Sequence, residues 1–183
     1  MVNYNLNKSV VLVGLMGAGK SSVGKRLSKE LNIPFVDSDA EIEQGAGMSI
    51  LDIFEQFGES YFRVGEERVI NRLLCNHPQI IATGGGAFMS KKIRSLIKVY
   101  GFSIWLQADF ETLWDRVQGK KNRPLLQTSD PQKTLRELIN ERNPIYEKAD
   151  LIVHSKKYGT HFAMVKKLIN MLSFSGILEQ SDD

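Results

Sequence analysis

The segment Gly14–Ser21 reads Gly-Leu-Met-Gly-Ala-Gly-Lys-Ser and matches every fixed position of the phosphate-binding pattern G-x-x-x-x-G-K-[ST]. Glycines allow such a loop to curl until successive backbone N–H groups point inward at an anion. The lysine of the pattern reaches the β- and γ-phosphates, and the serine hydroxyl ligates Mg²⁺. The pattern therefore predicts that the chain binds a nucleoside triphosphate, through Gly17, Ala18, Gly19, Lys20, Ser21 and Ser22.

A loop of this kind holds phosphate only where a strand leads into it and a helix follows. Ser9–Val13 is a short, apolar, β-branched run that is typical of a buried parallel strand. Val23, Leu27 and Leu31 then recur at helical spacing with charged residues between them. A helix that begins near Gly19 would direct the positive end of its dipole at the phosphates. The alternative, an ordinary glycine-rich turn, is disfavoured by these two flanks.

Strand-like and helix-like segments alternate along the rest of the chain, which favours an α/β fold with a five-stranded parallel sheet in a three-layer α/β/α arrangement. Further strands are predicted at 33–37, 79–83, 102–106 and 151–153. Helices are predicted at 38–43, 49–57, 59–76, 91–98, 109–118, 134–140 and 161–172. We expect a single domain over residues 1–183, with its core at about 9–174 and a polar tail at 175–183, of which residues 179–183 are predicted to be disordered.

Composition narrows the class of partner. The 183 residues carry a formal net charge of +3, which does not call for a nucleic-acid partner but suits anionic ligands. No apolar run approaches the ~20 residues of a membrane helix, and no signal peptide is evident. The single cysteine, Cys75, excludes an internal disulfide, and its apolar helical surroundings predict a buried, inert thiol. We expect a cytoplasmic monomer without nucleic-acid or membrane partners.

The segment 119–130 interrupts the alternation, because it is polar, basic and turn-rich around Arg123. A basic loop late in the fold fits a lid that closes over the triphosphate and excludes water, so that the phosphoryl group goes to an acceptor. A GTP-dependent switch would carry D-x-x-G and N-K-x-D motifs, and the sequence has neither. The chain is therefore predicted to be a kinase.

Several separated motifs make the sequence similar to the shikimate kinases, which have a P-loop fold of the nucleoside-monophosphate-kinase type. Besides the loop they are Asp37-Ser38-Asp39, Gly58-Glu59 with Phe62-Arg63, Gly84-Gly85-Gly86, Arg123-Pro124-Leu125-Leu126 and Glu141-Arg142-Asn143-Pro144-Ile145-Tyr146. The loop alone is generic, whereas the ordered set, spanning about residues 9–172, is specific. The resemblance implies Mg²⁺- and ATP-dependent phosphorylation of the 3-hydroxyl of shikimate, giving ADP and shikimate 3-phosphate, in chorismate and aromatic amino-acid biosynthesis. It also implies substrate-binding helices at about 37–66.

Asp37 and Asp39 lie two positions apart at a predicted strand end, so both side chains project to the same side if the extended geometry persists. Asp37 would then hold Mg²⁺ together with Ser21. Asp39 would face the acceptor hydroxyl, either to orient it or to accept its proton. The alternative is a pair of solvated turn aspartates.

For the substrate, the resemblance assigns the carboxylate to Arg63 and Arg142, and bidentate arginines suit that group. It places Gly84, Gly85 and Gly86 around the same pocket, with Gly85 offering its backbone N–H, and adds Ile50, Glu59, Phe62 and Glu66 as residues that frame it. Surface salt bridges are the alternative roles of Arg63 and Arg142.

For the nucleotide, the resemblance implies that Arg123 swings over the β- and γ-phosphates as an internal arginine finger. Arg116 would stack its guanidinium on adenine, with a solvated helix face as the alternative. The segment Ser155-Lys156-Lys157 should also touch adenine, although it departs from the family pattern. Catalysis is thus assigned to Lys20, Asp39 and Arg123.

Two other functions remain open from the sequence. One is a different small-molecule kinase on the same scaffold, such as a gluconate kinase, which would differ in the acceptor pocket. The other is a nucleotide-binding regulatory module that has lost phosphoryl transfer. Intact Asp39 and Arg123 argue against the second.

Overall fold

The computed structural model describes residues 3–120, 123–155 and 161–181. Its strands are β1 (Asn3–Leu6), β2 (Ser9–Val13), β3 (Phe35–Asp37), β4 (Ile80–Ala82), β5 (Gly101–Gln107), β6 (Leu151–His154) and β7 (Leu178–Ser181). Its helices are α1 (Lys20–Leu31), α2 (Ser38–Ala46), α3 (Ile50–Leu74), α4 (Lys91–Tyr100), α5 (Phe110–Val117), α6 (Pro131–Tyr146) and α7 (His161–Phe174). Two short 3-10 helices, Ala87–Met89 and Pro124–Leu126, complete it.

Five of the strands form one parallel sheet in the order β3-β4-β2-β5-β6, with helices around it, which confirms the predicted fold class. The central strand β2 is buried at every position, as expected for a strand covered on both faces. Val11 pairs with Ile81 on one side and with Ser103 on the other. In open parallel sheets, ligands bind at the carboxyl ends of the strands. The phosphate loop, Asp37 to Asp39 and the glycine triplet all follow strands at that edge.

The prediction of disorder is wrong for residues 179–181, which belong to β7, and residues 182–183 lie outside the described ranges. β7 pairs antiparallel with β1, with Leu6 opposite Leu178, and both leucines belong to the hydrophobic core. The Asn7 side chain donates to the carbonyl of Gly176 at 2.9 Å. Leu178 lies next to polar residues but is only 3% exposed, and the strand that pairs with it lies at the opposite end of the chain. The folded core therefore extends beyond the predicted 9–174.

Helix α3 confirms the predicted break at Gly58. Its first turn carries a capping box in which Ser49 and Asp52 bond each other's backbone N–H groups. Gly58 then adopts φ 79° and ψ 170°, a conformation that other residues rarely reach. The kink separates an apolar segment that packs with α2 from a longer segment that carries Arg63 and Glu66 to the glycine triplet.

Helix α6 is longer than the predicted 134–140, because it continues through Pro144 to Tyr146. A proline in a helix interior removes one backbone hydrogen bond and normally ends the helix. Here the last turn is anchored by burial, since Arg142 is 6% exposed and Tyr146 is fully buried. The extension delivers both side chains to the glycine triplet.

Cys75 is exposed, and the prediction of a buried thiol is wrong. It caps the C-terminus of α3, one residue beyond Leu73 and Leu74, which occupy the buried face. Among the described residues, no helix combines the length and apolar character needed to cross a bilayer.

Candidate active site

Lys20 lies at the start of α1 with its ammonium group inside the phosphate loop. Its Nζ donates to the carbonyls of Gly14 at 2.7 Å and Leu15 at 2.9 Å, and the residue is 8% exposed. Burial lowers the pKa of Lys20 to about 8, although the charges of Asp39 and Asp37 oppose this shift. The loop therefore holds a desolvated cation next to where phosphate would lie.

Ser21 and Asp37 meet beside Lys20. The Ser21 hydroxyl donates to Asp37 Oδ2 at 2.5 Å, while Asp37 Oδ1 caps α2 by accepting from the N–H of Asp39 at 3.1 Å. Hydroxyl and carboxylate oxygens are the donors that Mg²⁺ prefers. Within the described ranges, no group of three or more His, Cys, Asp or Glu residues could hold a metal ion. The Ser21 hydroxyl and the Asp37 carboxylate nevertheless fit Mg²⁺, which usually binds through one or two protein oxygens together with substrate phosphates and water.

A cavity of about 410 Å³ surrounds the phosphate loop and is the candidate nucleotide cavity. Its lining is Met16, Gly17, Gly19, Lys20, Ser21, Ser22, Asp37, Asp39, Thr83, Gly85, Arg116, Lys120 and Arg123. The structure thus brings the predicted phosphate, metal and lid residues together around one space. Ala18 lies in the loop itself and is 1% exposed.

A second cavity, of about 420 Å³, adjoins the first and is the candidate acceptor cavity. Its charged and glycine lining is Asp39, Glu43, Arg63, Glu66, Gly84, Gly85, Gly86, Arg123 and Arg142, and the rest is Met16, Ser49, apolar residues from α3, Pro124 and Leu125. Met16, Asp39, Gly85 and Arg123 line both cavities. These four residues, here named the shared wall, lie where a group could pass from one space to the other.

The carboxylate of Asp39 is electrostatically unusual. Burial raises its pKa to about 6; the charge of Asp37 adds to the shift and Lys20 opposes it. Its Oδ1 is buried and has no hydrogen-bond partner within the described part of the chain. Glu66 Oε1 is likewise buried without a hydrogen-bond partner within the described residues. A Cβ placed on Gly84 would lie 2.7 Å from the first of these oxygens and 2.8 Å from the second, so both acceptors converge on one point of the glycine triplet.

Besides Arg123, two arginines bring positive charge to the acceptor cavity. Arg63 forms ion pairs with Glu59 and Glu66, each at 2.7 Å, and its guanidinium packs against Gly86. Arg142 donates from Nη1 to the carbonyl of Gly85 at 2.9 Å. Its buried Nε has no acceptor in the described ranges, which leaves a donor for an anion.

The match to a family model decides the family. The model described as shikimate kinase matches residues 16–173 of this chain. The chain belongs to the shikimate kinase family. Because shikimate kinases transfer phosphate to an alcohol, it is a kinase of the phosphotransferase class with an alcohol acceptor, and ATP is its co-substrate.

Curated relatives and solved structures agree with the family. A shikimate kinase from Ruegeria pomeroyi is 51% identical over 168 residues, covering 92% of this chain and 86% of the relative. One from Bradyrhizobium diazoefficiens is 49% identical over 90% of this chain and 79% of the relative. The structure of a shikimate kinase from Acinetobacter baumannii in complex with shikimate has a TM-score of 0.89 and 36% identity, covering 92% of this chain and 94% of that one.

A likeness to another kinase is limited to the fold. A gluconokinase from Sinorhizobium meliloti has a TM-score of 0.57 at 18% identity, over 93% of this chain and 98% of that one. This comparison therefore shows a shared fold.

On the nucleotide side, Arg116 lies against the phosphate loop. Arg116 Nη1 donates to the carbonyl of Gly17 at 3.0 Å and to Ser155 Oγ at 3.2 Å, so its guanidinium bridges the phosphate loop and the end of β6. Lys156 and Lys157 lie outside the described residues. The alternative of a solvated helix face is not what the structure shows.

The sequence predicted no role for several residues at these cavities, among them Met16, Glu43, Leu51 and Phe54, nor for Tyr146 beside the glycine triplet. Met16 lines both cavities but occupies a variable position of the phosphate-loop pattern, so the motif carried no signal for it. Tyr146 belongs to a quoted motif but received no role, and its hydroxyl donates to the carbonyl of Gly85. Its location depends on the extension of α6, which Pro144 conceals.

Proposed function

We propose that the protein transfers the γ-phosphoryl group of ATP to the 3-hydroxyl of shikimate, giving ADP and shikimate 3-phosphate for chorismate and aromatic amino-acid biosynthesis. The observation that carries this proposal is the shared wall. A phosphate-loop cavity and an acceptor cavity of similar volume meet at Asp39, Gly85 and Arg123, so donor and acceptor can bind side by side. Holding both reactants in line supplies much of the catalysis in phosphoryl transfer.

On the nucleotide side, the backbone N–H groups from Gly17 to Ser22 receive the phosphates, and Lys20 follows the γ-phosphoryl group as charge develops on its oxygens. Ser21 and Asp37 hold Mg²⁺, which neutralises charge on the β- and γ-phosphates when bound. Arg116 contacts adenine from its position beside Ser155.

On the acceptor side, Arg63 and Arg142 bind the substrate carboxylate, because both guanidinium groups line the cavity and Arg142 retains a buried donor. Gly84, Gly85 and Gly86 allow the substrate to approach the backbone closely. The unpaired Oδ1 of Asp39 accepts a hydrogen bond from the reacting hydroxyl.

The transfer step then needs few participants. The substrate oxygen attacks the γ-phosphorus, the bond to the β–γ bridging oxygen breaks, and ADP leaves with that electron pair. The hydroxyl proton passes to Asp39, whose pKa of about 6 leaves the carboxylate ionised at neutral pH. Arg123 stabilises the transferring group from the lid at 119–130, and the closed lid excludes water. The protein acts as a cytoplasmic monomer of one domain.

The proposal is tested by measuring ADP release with shikimate, with gluconate and without an acceptor. We expect release that depends on shikimate, because two arginines face the acceptor carboxylate. Release with gluconate alone would assign the function to the other acceptor. Release at the full rate without acceptor would contradict transfer to an alcohol.

A further inference from the structure

Tyr146, the last residue of α6, is fully buried and has no part in the transfer described above. Its hydroxyl donates to the carbonyl of Gly85, which also accepts from Arg142 Nη1 at 2.9 Å. The Tyr146 ring is stacked against two other aromatic rings. Its centroid lies 6.1 Å from that of Phe88, with 11° between the ring planes, and 5.7 Å from that of Trp105, with 21° between the planes. This packing fixes the direction from which the hydroxyl reaches the glycine triplet.

The Gly85 carbonyl belongs to the peptide unit that joins Gly85 to Gly86, and the chain has no cis peptide bond among its described residues. In a planar trans peptide, the carbonyl and the following N–H point in opposite directions. Holding the carbonyl from the side of Tyr146 therefore directs the N–H of Gly86 to the other side. Gly86 lines the acceptor cavity.

We propose that Tyr146 is a positioning residue for the acceptor, fixing the Gly85–Gly86 peptide so that the Gly86 N–H faces the bound substrate. This inference rests on the proposed function. It adds a residue that touches neither substrate and acts through the backbone alone.

The need for a second donor follows from the role of Arg142. That guanidinium holds the same carbonyl, but it is also the group proposed to bind the substrate carboxylate. Arg142 thus divides its donors between this carbonyl and the substrate carboxylate, whereas Tyr146 gives its one hydroxyl proton to the carbonyl and keeps the peptide in place. Burial raises the pKa of the Tyr146 hydroxyl, so it stays protonated and able to donate across the working pH range.

The same stack reaches the phosphate loop. Trp105 Cδ1 lies 3.2 Å from the position that a Cβ on Gly14 would occupy, and a Cβ on Gly85 would lie 3.1 Å from the N of Met16. The glycine triplet is thus in close contact with a loop that is itself well packed. Without the Tyr146 hydrogen bond, the Gly85–Gly86 peptide would have little room to shift toward the nucleotide cavity. Loss of Tyr146 should therefore weaken binding of the acceptor and not of the nucleotide.

The test is Tyr146→Phe, which keeps the ring stack and removes only the hydroxyl. Calorimetric titration should show shikimate binding about fivefold weaker, the effect of losing one neutral hydrogen bond that orders a donor. The KM for shikimate should rise by a similar factor, whereas the affinity for MgADP should stay within about twofold, as for a residue without nucleotide contacts.

Ile97→Val is the matched control, because it removes one buried methyl group from α4 and lowers stability without contacting either cavity. It should leave both affinities unchanged. Unaltered shikimate binding in Tyr146→Phe would overturn the inference, as would an equal loss of both affinities. Failure of the proposed function would differ from both, since the parent protein itself would then not bind shikimate, and the inference would fall with it.

Discussion

At the scale of single residues, burial sets the ionisation of the two groups expected to work on either side of the transferred phosphate. It lowers the pKa of Lys20 to about 8 and raises that of Asp39 to about 6. Burial thus disfavours the charged form of each group, and the opposite charge of the other favours it. Between these two values the ammonium and the carboxylate are both ionised.

The pH dependence of kcat/KM should therefore be bell-shaped, with limbs near pH 6 and pH 8. Below the lower limb Asp39 is protonated and cannot accept the hydroxyl proton. Above the upper limb Lys20 loses the charge that stabilises the transferring group. Asp39→Asn should lower kcat and abolish the acid limb in steady-state rates measured from pH 5 to 9. A parent profile that stays flat down to pH 5 would contradict the role of Asp39.

Lys20→Met should lower kcat by about 10²- to 10³-fold, the range found when a donor to a developing anion is removed. Nucleotide affinity should fall much less, because backbone N–H groups hold the phosphates too. ADP-release assays measure kcat, and titrations with ADP measure the nucleotide affinity. Lys29→Met is the control, since Lys29 is exposed on the same helix. A kcat within about threefold of the parent, well under 1 kcal/mol, would show that Lys20 is wrongly assigned.

The sequence predicted these residues unevenly, for a physical reason. Lys20 and Ser21 follow from a local pattern, because the loop and its helix are contiguous in the chain. The meeting of Asp39 and Glu66 at Gly84 depends on how α2, α3 and the end of β4 pack, which no local pattern encodes. The exposure of Cys75 was missed because it lies one residue past the buried face of α3.

At the scale of elements, the turn after β4 leaves little space for a side chain at any of its three glycines. Gly84 faces two carboxylate oxygens, Gly85 faces the phosphate loop, and a Cβ on Gly86 would lie 2.5 to 2.7 Å from the Arg63 guanidinium. Side chains from three helices, α2, α3 and α6, converge on this turn. Its glycines are needed for space, since none of the three has a positive φ.

Gly84→Ala should consequently impair the acceptor site while the protein still folds. The new methyl group would displace Asp39 and Glu66, which lie within 2.8 Å of it. We expect kcat/KM for shikimate to fall at least about tenfold, as when catalytic groups shift by about 1 Å. MgADP affinity measured by titration should persist.

Gly45→Ala provides the comparison, because a Cβ on Gly45 in α2 would contact nothing within 4 Å. Alanine favours a helix over glycine, so this variant should keep full activity and unfold at an equal or higher temperature. An active Gly84→Ala enzyme would refute the tight convergence at the turn.

Helices and strands with local signals were predictable, and two features that depend on distant contacts were not. The helix predicted to end at residue 140 continues past Pro144, because the buried Arg142 and Tyr146 hold its last turn in place. The pairing of β1 with β7 joins residues from opposite ends of the chain, and only Leu178 in the polar tail hinted at it. Long-range pairing of this kind has no periodicity to reveal it.

At the scale of the whole molecule, the parallel sheet gathers several of the proposed functional segments at one edge. The phosphate loop follows β2, Asp37 ends β3 and Asp39 follows it, the glycine triplet follows β4, and Ser155 follows β6. Two cavities of about 410 and 420 Å³ result, and the shared wall joins them. Arg123 lines both cavities, so closure of the proposed lid would act on donor and acceptor together.

The central claim is that the γ-phosphoryl group crosses the shared wall to one hydroxyl of shikimate. Phosphorus and proton NMR of a reaction with ATP, Mg²⁺ and shikimate follows that group directly. The account predicts that the γ-phosphorus signal is replaced by a phosphate monoester coupled to the proton on C3 of shikimate, with an equal amount of ADP. A product that is only inorganic phosphate, or an ester at a different hydroxyl, would contradict it.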